Sequence, residues 1–264
     1  MKSLKDSRSI KVSAIKFEAK NMYNSISELH NKYVGQRCFI LGNGPSLNKT
    51  DVTLLKDEFT FGVNSIFLMT KENGFKPSFF VVEDNVVFSE NKTEIDNYDG
   101  VIKLFPKHYL EQLSPQKNAY SFNMNQEFYN RSKKARFGVP YFNNDNSEAF
   151  FCGQSVTYIN LQLAYYLGFS EVYLIGMDFS YSKPKGHVQN GNHIKSDADD
   201  VNHFHKDYFG KGKTWKDPRL GRVLRSYYRA KHEFEVDGRK IFNATAGGEL
   251  ELFDRVKFEA VVAK

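Results

Sequence analysis

Residues 38–47 read CFILGNGPSL, an unbroken apolar run that ends in a glycine-rich turn. A short apolar run of this kind predicts a strand buried on both faces, as in a parallel sheet. Gly42 and Gly44 allow the backbone of the turn to approach a phosphate or a sugar closely. A purely structural turn into a helix, with Pro45 fixing φ and Ser46 capping, also fits the sequence. The position at the end of a first strand favours the ligand-binding interpretation.

The alternation of buried strands and helical segments continues along the chain. Further strands are predicted at residues 59–63, 78–82, 101–105, 119–122, 172–175 and 240–242. Helices are predicted at residues 10–33, 51–59, 153–167, 219–235 and 249–264, and irregular segments at residues 123–150 and 180–217. Strands that alternate with helices indicate the α/β class, with a mainly parallel sheet covered by helices on both faces.

Length and composition limit the class of protein. The 264 residues, 41% hydrophobic and 26% charged, fit one large folded domain. No run approaches the ~20 apolar residues of a membrane span, and the first residues lack the apolar stretch of a signal peptide. Cys38 and Cys152 lie in apolar segments, so we expect free thiols and a cytoplasmic location.

The net charge of +6 favours an anionic ligand. The sequence has no zinc-finger spacing, RNP-type motif or recognition-helix signature, so a nucleic-acid partner is not expected. The apolar spacing in residues 10–33 fits a helix packed on the domain, a partner surface such as that of a homo-oligomer, or a peripheral contact with the inner face of the cell membrane.

Polar residues follow most of the predicted strands, at Asn43, Asn64, Glu83, Asp84, Asn85, Asp178 and Asn243. In parallel sheets, ligands bind at the carboxyl ends of the strands, beside a switch in strand order. This polar edge therefore predicts a ligand site. Asp178 fits a metal ion or a hydrogen bond to a ribose or a backbone N–H, and the absence of a DxD pair near it weakens the metal interpretation. Glu83 and Asp84 are a second candidate, so metal binding stays open.

Two further segments carry candidate chemistry. Ser155 and Thr157 begin the helix predicted over residues 153–167, where they fit either an anion site or simple N-capping. The irregular segment 180–217 contains His187, His193, His203, His205, Asp197, Asp199, Asp200 and Asp207. Their spacing is not that of a zinc site, whereas an imidazole that titrates near neutrality fits a general base.

Three segments and a downstream His–Tyr segment, in this order, resemble a known superfamily. They are ILGNGPSL (40–47), GVNSIF (62–67) and GQSVTYINLQLAYYLGFSEVYLIGMDFSY (153–181). The chain resembles the superfamily of motility accessory factor glycosyltransferases and bacterial lipooligosaccharide sialyltransferases, and is also similar to the archaeal 6-hydroxymethylpterin diphosphokinase. The resemblance covers roughly residues 35–250 and implies a Rossmann-like fold. We therefore expect a catalytic domain over residues 35–264 with a flexible lid around 180–217, preceded by an N-terminal helical extension at 1–34.

The resemblance also implies residue roles. His205 best matches the general base of the sialyltransferases, with His203 close enough to take that role, and Tyr181 and Tyr208 match tyrosines that stabilise the departing phosphate. With the polar strand ends, the predicted donor-binding residues are Gly42, Asn43, Gly44, Ser46, Asn64, Asn85, Ser155, Thr157 and Asp178.

The function implied is that of an inverting glycosyltransferase. It would move a sialic-acid-like nonulosonate from a CMP-linked donor to a surface-glycan or protein acceptor, without an obligatory metal, although Mg²⁺ is compatible. One alternative is an ATP-dependent pyrophosphokinase with Mg²⁺ held by Glu83, Asp84 and Asp178. A third hypothesis is a glycan- or nucleotide-binding module without catalysis.

Overall fold

The computed structural model describes residues 23–129, 140–145, 147–182, 188–191 and 193–263. Their strands are β1 (Asn24–Ser25), β2 (Arg37–Leu41), β3 (Phe59–Val63), β4 (Phe79–Val81), β5 (Ile102–Pro106), β6 (Ala119–Asn125), β7 (Ala149–Phe151), β8 (Glu171–Ile175), β9 (Val188–Asn190), β10 (His193–Lys195), β11 (Thr214–Lys216), β12 (Lys240–Asn243) and β13 (Asp254–Arg255). Strands β9, β10 and β11 form a small antiparallel sheet, and the other ten form the central sheet.

The helices lie between these strands. The α-helices of the described ranges are α1 (Phe67–Asn73), α2 (Asn85–Glu90), α3 (Lys92–Asp96), α4 (Val156–Leu167), α5 (Leu220–Val236) and α6 (Phe258–Val262). Short 3-10 helices occupy Ile26–Leu29, Pro45–Lys49, Val52–Leu55 and Lys107–Gln112. None of the helices in the described part of the chain is long and apolar enough to cross a membrane.

At β2 the chain changes the side of the central sheet on which it adds strands. Across the sheet the order is β1-β6-β5-β4-β3-β2-β8-β12-β13, with β7 beside β6, and all of these pairs are parallel. The chain builds outward on one side of β2 as far as β6 and then continues on the other side with β8. Leu41 and Ile175, which end β2 and β8, are paired in the sheet. The loops that follow these two strands therefore border the crevice where sheets of this type bind ligands.

The central sheet is buried on both faces because successive strand residues point to opposite sides. In β2, Cys38 and Ile40 belong to the core beneath α4 and α5, whereas Phe39 and Leu41 belong to the core beneath α1, α2, α3 and α6. All four side chains are fully buried. The predicted α/β class, with a mainly parallel sheet and helices on both faces, is confirmed.

The N-terminal segment differs from the helix predicted over residues 10–33. Residues 1–22 lie outside the described residues. Asn24–Ser25 adds a short parallel strand beside β6, and Ile26–Leu29 forms a 3-10 helix whose apolar residues are buried. Ser25 and Glu28 form a capping box, a local polar signal for a helix start that apolar spacing alone does not show.

Several short elements also differ from the sequence prediction. The helix predicted over residues 51–59 is wrong, because this region holds only the 3-10 helix Val52–Leu55, which Asp51 caps through the Thr53 N–H. Helices α1, α2 and α3 were not predicted, since five to seven residues are too few to display a helical period. Strands β9, β10 and β11 in the segment 180–217 were not recognised either, because three residues are too few to display an alternating pattern.

Lys103 on β5 gives a prediction about stability. Its side chain is fully buried, its Nζ donates to the Asp96 carbonyl oxygen at 2.7 Å, and burial lowers its pKa from 10.5 to about 8. The carbonyl also accepts a 2.7 Å bond from Gln116 Nε2, so Lys103→Met leaves it partnered. We expect Lys103→Met to stabilise the protein at pH 7 by ~1–3 kcal/mol, by removing a buried ammonium.

The sign of the pH dependence follows from the lowered pKa. Between pH 8 and 10.5 the unfolded chain holds a proton that the folded chain has released, so the native protein gains stability as the pH rises through this window. Chemical denaturation at pH 7, 8 and 9.5 should show the advantage of Lys103→Met shrinking with pH. Lys92→Met, at an exposed position, is the control. A variant less stable than the native protein at every pH would contradict this prediction.

Candidate functional site

A cleft opens at the crevice between the ends of β2 and β8, where sheets of this type bind ligands. The loops after β2, β3 and β8, the start of α4 and the first turns of α5 surround it. Ten of the predicted site residues line it, namely Gly42, Asn43, Gly44, Asn64, Ser155, Thr157, Asp178, Tyr181, His203 and Tyr208. The topology therefore brings together residues from distant parts of the sequence.

The glycines of the first turn are required by close packing against the turn that follows β8. A Cβ on Gly42 would lie 2.5 Å from the Gly176 carbonyl oxygen, and one on Gly44 would lie 2.0 Å from Asp178 Oδ2. Ser46 donates its hydroxyl to the same Asp178 oxygen at 2.6 Å. Asp178 therefore ties the two turns together, and Ser46 serves this contact instead of lining the cleft.

Two asparagines at strand ends present unpaired amide oxygens. Asn43 donates through Nδ2 to the Val63 carbonyl at 2.9 Å and to the Tyr208 hydroxyl at 2.7 Å. Its Oδ1, like the Oδ1 of Asn64, is buried and has no hydrogen-bond partner among the described residues. Asn64 also has a positive φ of 50°, a strained conformation of the kind that concentrates at functional sites. A buried acceptor without a partner costs free energy, so each of these amide oxygens is open to a hydrogen-bond donor from a ligand or a water molecule.

His203 forms a pair with Asp200 at the cleft. Its Nδ1 lies 2.7 Å from Asp200 Oδ2, and the backbone N–H groups of Asn202 and Phe209 also donate to that carboxylate. Burial alone would raise the pKa of Asp200, but the bonds from His203 and the backbone hold it below its usual value. Because an ionised carboxylate can only accept, Nδ1 carries a proton and Nε2 of the neutral ring is the basic nitrogen.

Two tyrosines flank His203. Tyr208 is buried and stacks on the imidazole, with ring centroids 4.1 Å apart and planes at 1°. Burial raises the pKa of its hydroxyl, which therefore stays protonated at neutral pH. Tyr181 contacts the imidazole at a 68° angle with centroids 6.0 Å apart, and the residue is 39% exposed.

The start of α4 forms another wall of the cleft. Ser155 caps the helix by accepting the Thr157 N–H at 3.2 Å, and its hydroxyl lies 3.2 Å from the Tyr227 hydroxyl. The capping interpretation is thus confirmed. The helix start also borders the cleft, where its positive end favours an anionic ligand group.

Besides Ser46, two predicted site residues do not line the cleft, and neither do the remaining histidines that the structure describes. His205 does not line it, because its Nε2 lies 3.3 Å from Glu72 Oε1 on α1 and its Nδ1 accepts the Asp207 N–H. Asn85 accepts a bond from Lys216 instead of facing a ligand. His193 is exposed on β10, and His187 lies outside the described residues.

The three carboxylates expected for Mg²⁺ are engaged with different partners. Asp178 holds Ser46, Asp84 pairs with Lys216 at 2.8 Å, and the buried Glu83 accepts the Tyr129 hydroxyl at 2.6 Å. Burial raises the pKa of Glu83. In the described ranges, no three His, Cys, Asp or Glu side chains are grouped so that they could hold a metal ion. These residues do not fit a preformed Mg²⁺ site.

Other cleft residues were missed from the sequence. Gln154 and Phe179 line the cleft with positive φ values of 70° and 57°, which no local motif predicts. Tyr227 reaches the cleft from α5, whose inward face only packing reveals. Asp200 appeared among the acidic residues of the irregular segment, but its pairing with His203, three residues later, was not predicted.

Lys216 connects the small sheet to the start of α2. Its Nζ lies 2.8 Å from Asp84 Oδ2 and 2.8 Å from Asn85 Oδ1, at the start of α2. We expect Lys216→Met to raise amide hydrogen exchange in β11 by ~2–5-fold with little change in global stability, because partly exposed ion pairs contribute ~0.2–1 kcal/mol. Lys195→Met, exposed on β10, is the control. Equal exchange in both variants would contradict a tethering role.

The comparisons with known proteins bear on this geometry. Residues 14–184, well over half of the chain, match the family described as 6-hydroxymethylpterin diphosphokinase MptE-like. The chain belongs to the MptE-like family. No curated protein matches the sequence of this MptE-like chain. It is also similar to the structure of MAf glycosyltransferase from Magnetospirillum magneticum AMB-1, with 14% identity and a TM-score of 0.49 over 92% of this chain and 39% of that chain. The MptE-like chain therefore spans well under half the length of that protein.

Proposed function

We propose that the protein is a glycosyltransferase that binds a nucleotide-activated sugar in the cleft and uses His203 as the general base. The observation that carries this proposal is the His203–Asp200 pair, 2.7 Å apart, at the wall of a cleft that also holds unpaired amide oxygens. Asp200 fixes the tautomer that leaves Nε2 basic. The base role thus passes from His205, whose ring faces Glu72, to His203.

The donor that fits best is a CMP-linked nonulosonate, as the resemblance of the sequence to the sialyltransferase superfamily implies. The unpaired Oδ1 atoms of Asn43 and Asn64 would accept hydrogen bonds from the ribose or the base amine. The start of α4 at Ser155 would face the phosphate or the sugar carboxylate. The donor thus offers hydrogen-bond donors to the two asparagines and an anionic group to the start of α4.

The proposed reaction inverts the anomeric carbon in one step. The acceptor oxygen forms a bond to that carbon while the bond from the carbon to the phosphate oxygen breaks, and the acceptor proton passes to Nε2 of His203. CMP leaves with the electron pair of the broken bond. The protonated Tyr208 hydroxyl and the positive end of α4 would stabilise this charge without a metal ion.

A second candidate is an ATP-dependent diphosphokinase, which the description of the matched family favours. This reaction would require Mg²⁺ to neutralise the transferred phosphates. Glu83, Asp84 and Asp178 accept from Tyr129, Lys216 and Ser46, respectively, and among the described residues these three carboxylates are not grouped so that they could hold one ion together. The geometry therefore favours the glycosyltransferase.

Nucleotide binding distinguishes the two functions. Thermal shifts should be measured with CMP, CDP, UDP, GDP and ATP, each with and without Mg²⁺. We expect CMP to raise the melting temperature without Mg²⁺. Stabilisation by ATP–Mg²⁺ alone would contradict the glycosyltransferase and support the diphosphokinase.

Asn64→Gly gives a sharp variant for this measurement. Glycine tolerates the positive φ, so the substitution removes the unpaired amide without backbone strain. We expect CMP affinity to fall about tenfold, the effect of one lost hydrogen bond. Asn31→Gly, at a φ of 54° and away from the cleft residues, is the matched control. Equal CMP affinity in both variants would contradict the assignment of Asn64.

A further inference from the structure

Tyr181 differs from the other tyrosines of the cleft in its exposure. Tyr208 and Tyr227 are 2% and 3% exposed, whereas Tyr181 is 39% exposed. Its ring stacks against Trp215 of β11, with centroids 6.2 Å apart and planes at 21°. The ring is thus supported from the small sheet, while the residue lines the cleft and keeps more than a third of its surface exposed. An aromatic ring held in this way offers a flat apolar surface to a ligand.

The segment that carries Tyr181 is fixed beside the base. Asn202 accepts the Ser182 N–H at 2.7 Å and donates to the Ser182 carbonyl at 2.8 Å. These two bonds join the residue after Tyr181 to the residue before His203. The ring and the imidazole are therefore held in one arrangement, 6.0 Å apart between centroids, before any ligand binds. A preorganised surface of this kind reduces the entropy lost on binding.

We propose that Tyr181 forms the acceptor subsite, where its exposed ring packs against the apolar C–H face of a neutral pyranose whose hydroxyl lies against Nε2 of His203. This inference rests on the proposed function, because only an acceptor has to reach the base. The phenolic hydroxyl is not required, since the contact is made by the ring. The subsite selects a sugar over a flexible peptide as the acceptor, because a hydroxyl-bearing peptide side chain has no rigid apolar face of the same size.

The role of Tyr181 expected from the sequence makes the opposite prediction. A tyrosine that stabilises the departing phosphate acts through its hydroxyl, so Tyr181→Phe would be as damaging as Tyr181→Ala. A tyrosine that packs on a pyranose acts through its ring, so Tyr181→Phe would keep acceptor binding. The two variants therefore separate a hydroxyl role from a ring role.

The single tryptophan of the chain, Trp215, reports on this surface because it stacks on Tyr181. The full chain, saturated with CMP, should be titrated with the methyl glycosides of galactose, glucose, N-acetylglucosamine and N-acetylgalactosamine. Tryptophan fluorescence and saturation-transfer NMR would follow binding. We expect at least one glycoside to bind, Tyr181→Ala to weaken its affinity about tenfold or more, and Tyr181→Phe to keep it within about twofold.

The control is Tyr228→Ala, at a 59% exposed position on α5 outside the cleft, which should bind like the native protein. Tyr181→Phe as weak as Tyr181→Ala, or native binding in Tyr181→Ala, would overturn the subsite, as would no binding by any glycoside. Failure of the proposed function is read separately, from the CMP thermal shift of the same samples. A normal CMP shift with Tyr181-independent glycoside binding rejects the subsite alone.

Discussion

Replacement of His203 by alanine is expected to lower the rate of sugar transfer by ~10²–10⁴-fold, the usual contribution of a general base. The physical reason is the pairing of Nδ1 with Asp200, which leaves Nε2 as the basic nitrogen of a residue that lines the cleft. Affinity for CMP should stay within about threefold of the native value, because the general base acts on the acceptor hydroxyl and takes no part in nucleotide binding. The measurement is steady-state transfer from a CMP-linked sugar, with CMP binding followed on the same samples.

His205→Ala is the matched control for this variant. His205 lies two residues away in sequence, but its Nε2 faces Glu72 on α1. We expect its transfer rate to stay within about threefold of the native rate. Asp200→Asn should lower the rate by about tenfold or more, because the tautomer that leaves Nε2 basic is no longer enforced. A large loss in His205→Ala with a normal rate in His203→Ala would return the base role to His205.

The second large effect is expected for Gly42→Ala. The added Cβ would lie 2.5 Å from the Gly176 carbonyl oxygen and 2.7 Å from Met177 Sδ. The first of these contacts is with backbone, so the turns after β2 and β8 must move apart, at a cost of ~1–3 kcal/mol. The same movement would widen the donor site and weaken CMP binding by about tenfold or more. Thermal unfolding and CMP titration measure the two effects.

Gly221→Ala separates a local clash from a general effect of alanine. A Cβ on Gly221, within α5, would meet no atom within 4 Å. Alanine is the better helix former, so this variant should be more stable than the native protein by ~0.5–1 kcal/mol. If Gly42→Ala has the native stability and CMP affinity, the two turns do not pack as closely as the structure indicates.

The fold was largely predictable because a few strong signals coincide. The apolar runs of β2 and β8 and the glycines that follow them identify buried parallel strands and their turns. Because the carboxyl ends of parallel strands lie at the same edge of a sheet, the sequence alone predicts a common site for Asn43, Asn64 and Asp178. The N-cap at Ser155 was predictable because a serine directly precedes a long apolar helix.

The catalytic assignment was not predictable because it depends on contacts between distant segments. His203 and His205 lie two residues apart, and the contacts that distinguish them, Asp200 with the first ring and Glu72 from α1 with the second, form only in the fold. Tyr227 reaches the site through the packing of α5, which periodicity does not orient. The short helices that follow β3 and β4 are set by tertiary packing more than by their own sequence.

A crystal structure of the protein soaked with CMP tests the central claim, the existence of a donor site at the β2–β8 crevice. We expect the nucleotide in the cleft, with Oδ1 of Asn43 or Asn64 within hydrogen-bond distance of a nucleotide donor group and the phosphate at the start of α4. CMP bound elsewhere on the surface, with the cleft empty of nucleotide, would contradict the claim.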